Sequence, residues 1–135
     1  MKILLLEDDV ALSDLLNEHL EDRGYEVTLC TNGQDALENL VDKKYDLALL
    51  DINTPTISGI EVLKRVRNEY KINIPTIILT AYQDTKHLKE SFENGVDDYI
   101  KKPFDLEELD QRILKLCRHF LIDQDSKIKI DENIF

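Results

Sequence analysis

Short apolar runs alternate along the chain with longer segments in which apolar residues recur at helical spacing. The runs are "KILLLE", "YEVTLC", "DLALLD", "PTIILTA" and "DDYIKK", and they predict five strands. Between them the spacing predicts helices over roughly 10–22, where Leu12, Leu15, Leu16 and Leu20 recur, and roughly 33–43, with Ala36, Leu37, Leu40 and Val41. A third helix over roughly 59–70 would bury Ile60, Leu63 and Val66, and a more polar fourth is expected over roughly 84–94. A fifth, over roughly 105–120, would bury Leu109, Ile113, Leu116 and Phe120. Gly24 and Gly95 are suited to end the first and fourth helices, and Asn32 and Asp105 to cap the second and fifth. Alternating strands and helices imply an α/β fold around a parallel sheet. One (β/α)5 unit would cover residues 1–120. The remaining "LIDQDSKIKIDENIF", residues 121–135, reads as a linker plus the first strand of a further domain, the alternative being a C-terminal appendage of this one.

Composition narrows the class. A chain of 135 residues with 42% hydrophobic content is expected to form one soluble globule around one core. The net charge of −11, from 28 acidic against 17 basic residues, disfavours a nucleic-acid backbone or an anionic membrane as direct partner. A cation or a basic protein surface suits it better. Cys30 and Cys117 are far apart and lack metal-type spacing, so they are expected to be small buried or half-buried hydrophobes. The apolar run near the N-terminus is too short for a signal sequence or membrane span, which makes a cytoplasmic location the expectation.

In an open, doubly wound sheet, ligands sit beyond the carboxyl ends of the strands, where the winding reverses. The first strand ends in Glu7, Asp8 and Asp9, the third in Asp51, the fourth in Thr80, and the fifth in Lys101 and Lys102 before Pro103. Singly, each is the ordinary start of a solvated loop. Together, several carboxylates in one crevice repel one another and need a counter-charge, which a hard divalent cation with oxygen ligands, most naturally Mg²⁺, supplies. The set contains no His or Cys, which argues against zinc. A carboxylate beside such a cation and a lysine is suited to attack phosphorus and form an aspartyl-phosphate. Asp51 is the best nucleophile candidate, because it ends an apolar central strand and precedes a loop able to supply backbone ligands. Glu7 and Asp8 would be metal ligands, and Thr80 could donate a hydrogen bond to a phosphoryl oxygen.

"ILLLEDD", "DLALLDINTPTISGIEVL", "IPTIILTA" and "GVDDYIKKPFDLEEL" resemble the receiver domain of two-component response regulators, in order and in spacing, over residues 1–120. The resemblance implies a flavodoxin-like (CheY-like) three-layer sandwich with strand order 2-1-3-4-5. It also implies that Asp51 accepts a phosphoryl group from a sensor histidine kinase, and that the domain is a signalling module and not a turnover enzyme. By the same resemblance, Glu7, Asp8, Asp51 and the backbone carbonyl of Asn53 bind Mg²⁺, and Lys102, before a typically cis Pro103, contacts the phosphoryl group. Thr80 and Tyr99 would form a switch acting on the face of the fourth helix, fifth strand and fifth helix. The tail is similar to OmpR/PhoB-type regulators, in which a winged-helix DNA-binding domain begins there. DNA would then be bound only through that domain, and a homodimer through the switch face would use Asp97, Asp98, Glu108 and Arg112. Ser58 departs from the family pattern, where Asp is frequent, and Asn53 and Tyr82 occupy positions that influence phosphoryl lifetime.

Two other readings compete. A haloacid-dehalogenase-type phosphohydrolase also uses a strand-end Asp with Mg²⁺, but needs a second Asp two residues on, where Asn53 stands. A phosphate-independent interaction module would have no use for the Asp51, Thr80 and Lys102 set.

Overall fold

The computed structural model of the chain describes residues 1–81 and 85–118. Five strands, β1 (Lys2–Leu6), β2 (Glu26–Cys30), β3 (Leu47–Asp51), β4 (Thr76–Ala81) and β5 (Asp98–Lys102), form one parallel sheet. Its order is β2-β1-β3-β4-β5. The helices are α1 (Val10–Asp22), α2 (Gly33–Asp42), α3 (Gly59–Lys64), α4 (Thr85–Glu93) and α5 (106–118). This is the flavodoxin-like α/β fold with the expected strand order. α3 runs on into a π-helical turn, Arg65–Glu69, so the segment expected to be helical to about residue 70 is helical but wound more widely at its end.

Met1–Phe104 form one compact unit, and residues from Asp105 onward form a second. In the first unit the sheet is buried on both sides, which is why β1 and β3 read as unbroken apolar runs. Leu4, Leu6, Ala48, Leu50 and Ile78 meet Ala36, Leu37 and Leu40 of α2 and Ile60, Val62 and Leu63 of α3 in one core cluster. The alternate residues Ile3, Leu5, Leu47, Leu49, Ile77 and Leu79 are also buried, and the pleat turns them to the opposite face. The chain steps from β1 to β2 in one direction and from β2 to β3 in the other, so right-handed crossovers put α1 on the face opposite α2.

Apolar spacing overstated the inner face of two helices. Leu15 is half exposed, and Ser13 takes an inward place beside Leu16 and Leu20, its hydroxyl donating to the Val10 carbonyl at 3.0 Å. Val41 is likewise partly exposed. The boundaries are as expected. Gly24 and Gly95, at φ +88° and +82°, close α1 and α4 in a conformation that costs other residues energy. Asn32 caps α2 by accepting the Asp35 N–H at 2.9 Å.

Ser58 has the same function at α3. Its hydroxyl accepts the Glu61 N–H at 3.1 Å, so it satisfies a first-turn amide as the Asp usual at this position also can. Ser58→Ala should therefore lower stability by about 1 kcal/mol, and Ser58→Asp should leave it unchanged. Urea denaturation of the three proteins checks both, and an alanine variant as stable as its parent would remove the capping role.

In the second unit, Asp105 caps α5 by accepting the Glu108 N–H at 2.8 Å. Leu109 and Ile113 are buried as expected, while Cys117 rather than Leu116 completes the buried line. Cys30 and Cys117 are both buried. Phe120 and the tail 121–135 lie outside the described residues, as does Tyr82. No helix among the described residues is long and apolar enough to cross a membrane.

Candidate functional site

β1 and β3 lie side by side at the point where the winding reverses, and their carboxyl ends deliver Glu7, Asp8 and Asp51 to one spot. One carboxylate oxygen from each of the three lies within 4.8 Å of the others. Glu7 and Asp51 are buried, whereas Asp8 is exposed. Glu7 is held on both sides: Oε2 accepts the Asp9 N–H at 3.2 Å and Oε1 accepts Lys102 Nζ at 2.7 Å.

Lys102 ends β5, two strands away from β3, and its aliphatic stem carries the ammonium to the site, 3.4 Å from Asp51 Oδ1. Lys101 is exposed, so the pleat separates the two lysines. The Lys102–Pro103 peptide bond is cis, also as expected. Asp9, counted among the strand-end carboxylates, caps α1 instead, accepting the Leu12 N–H at 2.9 Å.

One ammonium among three carboxylates leaves the cluster short of positive charge. Burial, and next the charge of Glu7, pushes the Asp51 carboxyl up to about 7, and Lys102 offsets only part of this. For Lys102, burial disfavours the charged form, but the hydrogen bond to Glu7 and the charges of Asp51 and Glu7 outweigh it, holding the ammonium above the usual lysine range. A residual negative charge lined only by oxygen ligands is the donor set of a hard divalent cation.

The walls of the site are backbone and small residues. Gly59 opens α3 directly behind Asp51. A Cβ on it would stand 2.1 Å from the Asp51 carbonyl oxygen, and its N–H donates to the Ile52 carbonyl at 3.0 Å. Only glycine fits there, which accounts physically for its place eight residues after Asp51. On the other side, Leu79 is paired in register with Asp51, so Thr80 stands one residue beyond it on β4. Thr80 is buried, and among the described residues its hydroxyl makes a long contact, 3.3 Å, to the Ala81 carbonyl. Beside Lys102 an apolar cleft of about 340 Å³ is lined by Leu12, Ala81, Lys102, Pro103 and Phe104.

Tyr99, on β5, is partly buried against the core, its ring 5.6 Å from that of Phe92 on α4 in an edge-to-face arrangement. Of the residues expected at an interface, Asp97 is engaged within the chain. Its Oδ2 accepts the Thr76 N–H at 2.8 Å and lies 3.3 Å from the Arg67 guanidinium. Asp98 Oδ1 accepts the Tyr99 N–H at 2.8 Å. Glu108 and Arg112 form an ion pair one turn apart on α5, at 3.8 Å. Sequence reasoning missed Gly33 and Thr56, which hold the loop after Asp51. The signal available was Gly33 directly after the capping Asn32.

The response regulator receiver domain family matches residues 3–114. The chain is 44% identical over 134 residues to the transcriptional regulatory protein CrdR of Helicobacter pylori, covering 99% of this chain and 60% of that protein. It thus spans about three-fifths of the length of that relative. Among solved structures, the receiver domain of Francisella response regulator 1452 superposes with a TM-score of 0.80 at 33% identity, covering 88% of this chain and 98% of that one. The response regulator TrrA of Thermotoga maritima, in complex with Mg²⁺ and BeF, superposes with a TM-score of 0.75 at 36% identity, covering 85% and 97%. With its strand-end carboxylates, its lysine and the fold that assembles them, this chain belongs to the response regulator receiver domain family.

Proposed function

We propose that Asp51 accepts a phosphoryl group from a sensor histidine kinase, and that phosphorylation shifts the α4–β5–α5 face between two arrangements. The observation that carries the reading is the cluster itself: three carboxylates within 4.8 Å of one another, with Lys102 reaching two of them. Glu7, Asp8, Asp51 and the carbonyl of Asn53 would hold Mg²⁺. Bound there, the ion neutralises charge on the phosphoryl oxygens as it builds in the transition state.

The chain's own groups do the rest. Asp51 supplies the attacking oxygen, and a new O–P bond forms as the bond from phosphorus to its donor atom breaks, the donor keeping the electron pair. Lys102 is tethered by Glu7 with its ammonium towards Asp51, where it pairs with a phosphoryl oxygen. Thr80, whose hydroxyl makes only a long contact among the described residues, can turn to donate to another. Movement of Thr80 vacates the space into which Tyr99 turns from its place against Phe92, and this alters the outer surface of α4 and β5. The receiver domain covers residues 1–120, and 121–135 are a linker and the start of an OmpR/PhoB-type winged-helix output domain that binds DNA. Similarity to relatives named as transcriptional regulatory proteins supports this. The same face would form a homodimer in the phosphorylated state through Asp98, Glu108 and Arg112, with Asp97 contributing only its remaining oxygen. The protein would act in the cytoplasm.

Incubation with Mg²⁺ and acetyl phosphate followed by intact mass measurement tests this. The parent should gain one phosphoryl mass, and Asp51→Asn should gain none. A parent without adduct would favour a phosphate-independent module, and multiple-turnover phosphate release would favour a hydrolase.

A further inference from the structure

Residues 52–58, which follow Asp51, contain no helix or strand, yet Asn53 must present its carbonyl from within them. The head of α2 holds this loop. The Gly33 N–H donates to the Pro55 carbonyl at 3.0 Å, and the Gln34 N–H donates to the Thr56 hydroxyl at 2.9 Å. Both are first-turn amides that have no acceptor inside the helix. The Thr56 hydroxyl in turn lies 2.6 Å from the Pro55 carbonyl and 3.4 Å from Asn32 Oδ1. Loop and helix are therefore joined by a closed ring of hydrogen bonds.

Two further features make the junction specific. Thr56 stands at φ +70°, a conformation that a β-branched residue adopts only when its surroundings hold it there. Gly33 is in close contact with the loop: a Cβ on it would be 1.9 Å from the Ile57 carbonyl oxygen and 2.6 Å from the Ile57 side chain. The two segments meet at this distance only because residue 33 has no side chain.

We propose that Gly33 and the Thr56 hydroxyl are positioning residues for the cation site, presetting the loop so that the Asn53 carbonyl is directed to the carboxylates before a cation arrives. Neither touches a reacting atom. The inference rests on the reading that Asn53 and the three carboxylates hold Mg²⁺. A preset ligand raises affinity because its ordering cost is met in folding and not in binding.

The test compares the parent with Thr56→Val, Thr56→Ser and Gly33→Ala in an NMR-monitored Mg²⁺ titration without phosphodonor, alongside amide exchange at residues 53 and 54 in metal-free protein. Valine keeps the branched shape but cannot accept the Gln34 N–H, whereas serine can. Thr56→Val and Gly33→Ala should weaken Mg²⁺ binding five- to tenfold and speed exchange at both amides, while Thr56→Ser stays within twofold of the parent. Val66→Ala, a core truncation elsewhere, should lower the melting temperature and leave the Mg²⁺ affinity unchanged. If Thr56→Val binds Mg²⁺ as the parent does while melting earlier, the junction is structural only and the proposal is overturned. Should Gly33→Ala fail to fold, the Val and Ser pair decides. A parent that takes up no Mg²⁺ at all overturns the underlying cation-site reading and this inference with it, an outcome distinct from a parent that binds and a valine variant that binds equally well.

Discussion

Asp51→Asn should make the metal-free protein more stable than its parent at pH 8, and the gain should shrink as the pH falls below about 7. Folded, the Asp51 carboxyl is held at about 7 by burial and by Glu7, against 3.8 for an ordinary carboxyl. A carboxyl harder to ionise folded than unfolded favours folding while it is protonated in both states. That contribution is fully present below the unfolded value and is lost as pH rises from there to about 7. The parent therefore gives up stability across this window, and the asparagine variant, with nothing to ionise at this position, does not. About three pKa units at 1.36 kcal/mol each set a ceiling on the order of 4 kcal/mol, and coupling of Asp51 to Glu7 and Lys102 makes about 2–3 kcal/mol the expected value. Urea denaturation with a chelator present, at pH 5.5 and at pH 8, measures the difference. Mg²⁺ added at pH 8 should narrow it, because only the parent retains all three carboxylates to bind the ion. A pH-independent difference would mean that no strained carboxylate exists at this site.

Lys102→Met should act in the opposite direction. The substitution keeps much of the stem's packing but removes the ammonium that reaches both Glu7 and Asp51, of which Glu7 is fully buried. Removing one partner of a buried pair leaves an uncompensated charge and costs about 3–5 kcal/mol in general. Lys102 is about one-quarter exposed and Asp51 can escape by taking up a proton, so about 2 kcal/mol is expected here at pH 8. The loss should fall as pH drops through about 7, since Asp51 becomes neutral and needs less compensation. Combining Lys102→Met with Asp51→Asn should then cost less than Lys102→Met alone gives in the parent background, a coupling that a double-mutant cycle reads directly. Strict additivity would show that the 3.4 Å contact between the two groups carries no energy.

These opposed effects arise from groups far apart in the chain that only folding brings together. Each arrived at the end of a strand for a reason visible locally. "DLALLD" is apolar up to its last residue because β3 is the central strand buried on both faces, and a charge is tolerated only where the strand leaves the core. The alternation in "YIKK" puts Lys101 and Lys102 on opposite faces, and the family resemblance, not the period, picks out Lys102 for the site. By contrast, the spacing includes Leu15 and passes over Ser13, because apolar spacing reports which residues could face inward. Which ones do depends on how the helix is rotated against the sheet, and that is settled by packing.

Residue type and spacing alone thus determined the order of strands and helices, their caps and the chemistry available at strand ends, because those are properties of short stretches of backbone and of pleat and helix periodicity. The tertiary structure decided which of the strand-end acids converge: Asp9 went to a helix cap, while Glu7 became the tether for Lys102. It also engaged Asp97 with Arg67 and the Thr76 N–H, and set Gly33 and Gly59 where a methyl group would collide with backbone. Such facts depend on distances between segments separated by tens of residues, and hydrophobic pattern contains no distance of that kind. Ser58 joins the two levels, since its type suffices for an N-cap but only the tertiary structure sets the helix it caps, at Gly59, against the Asp51 backbone.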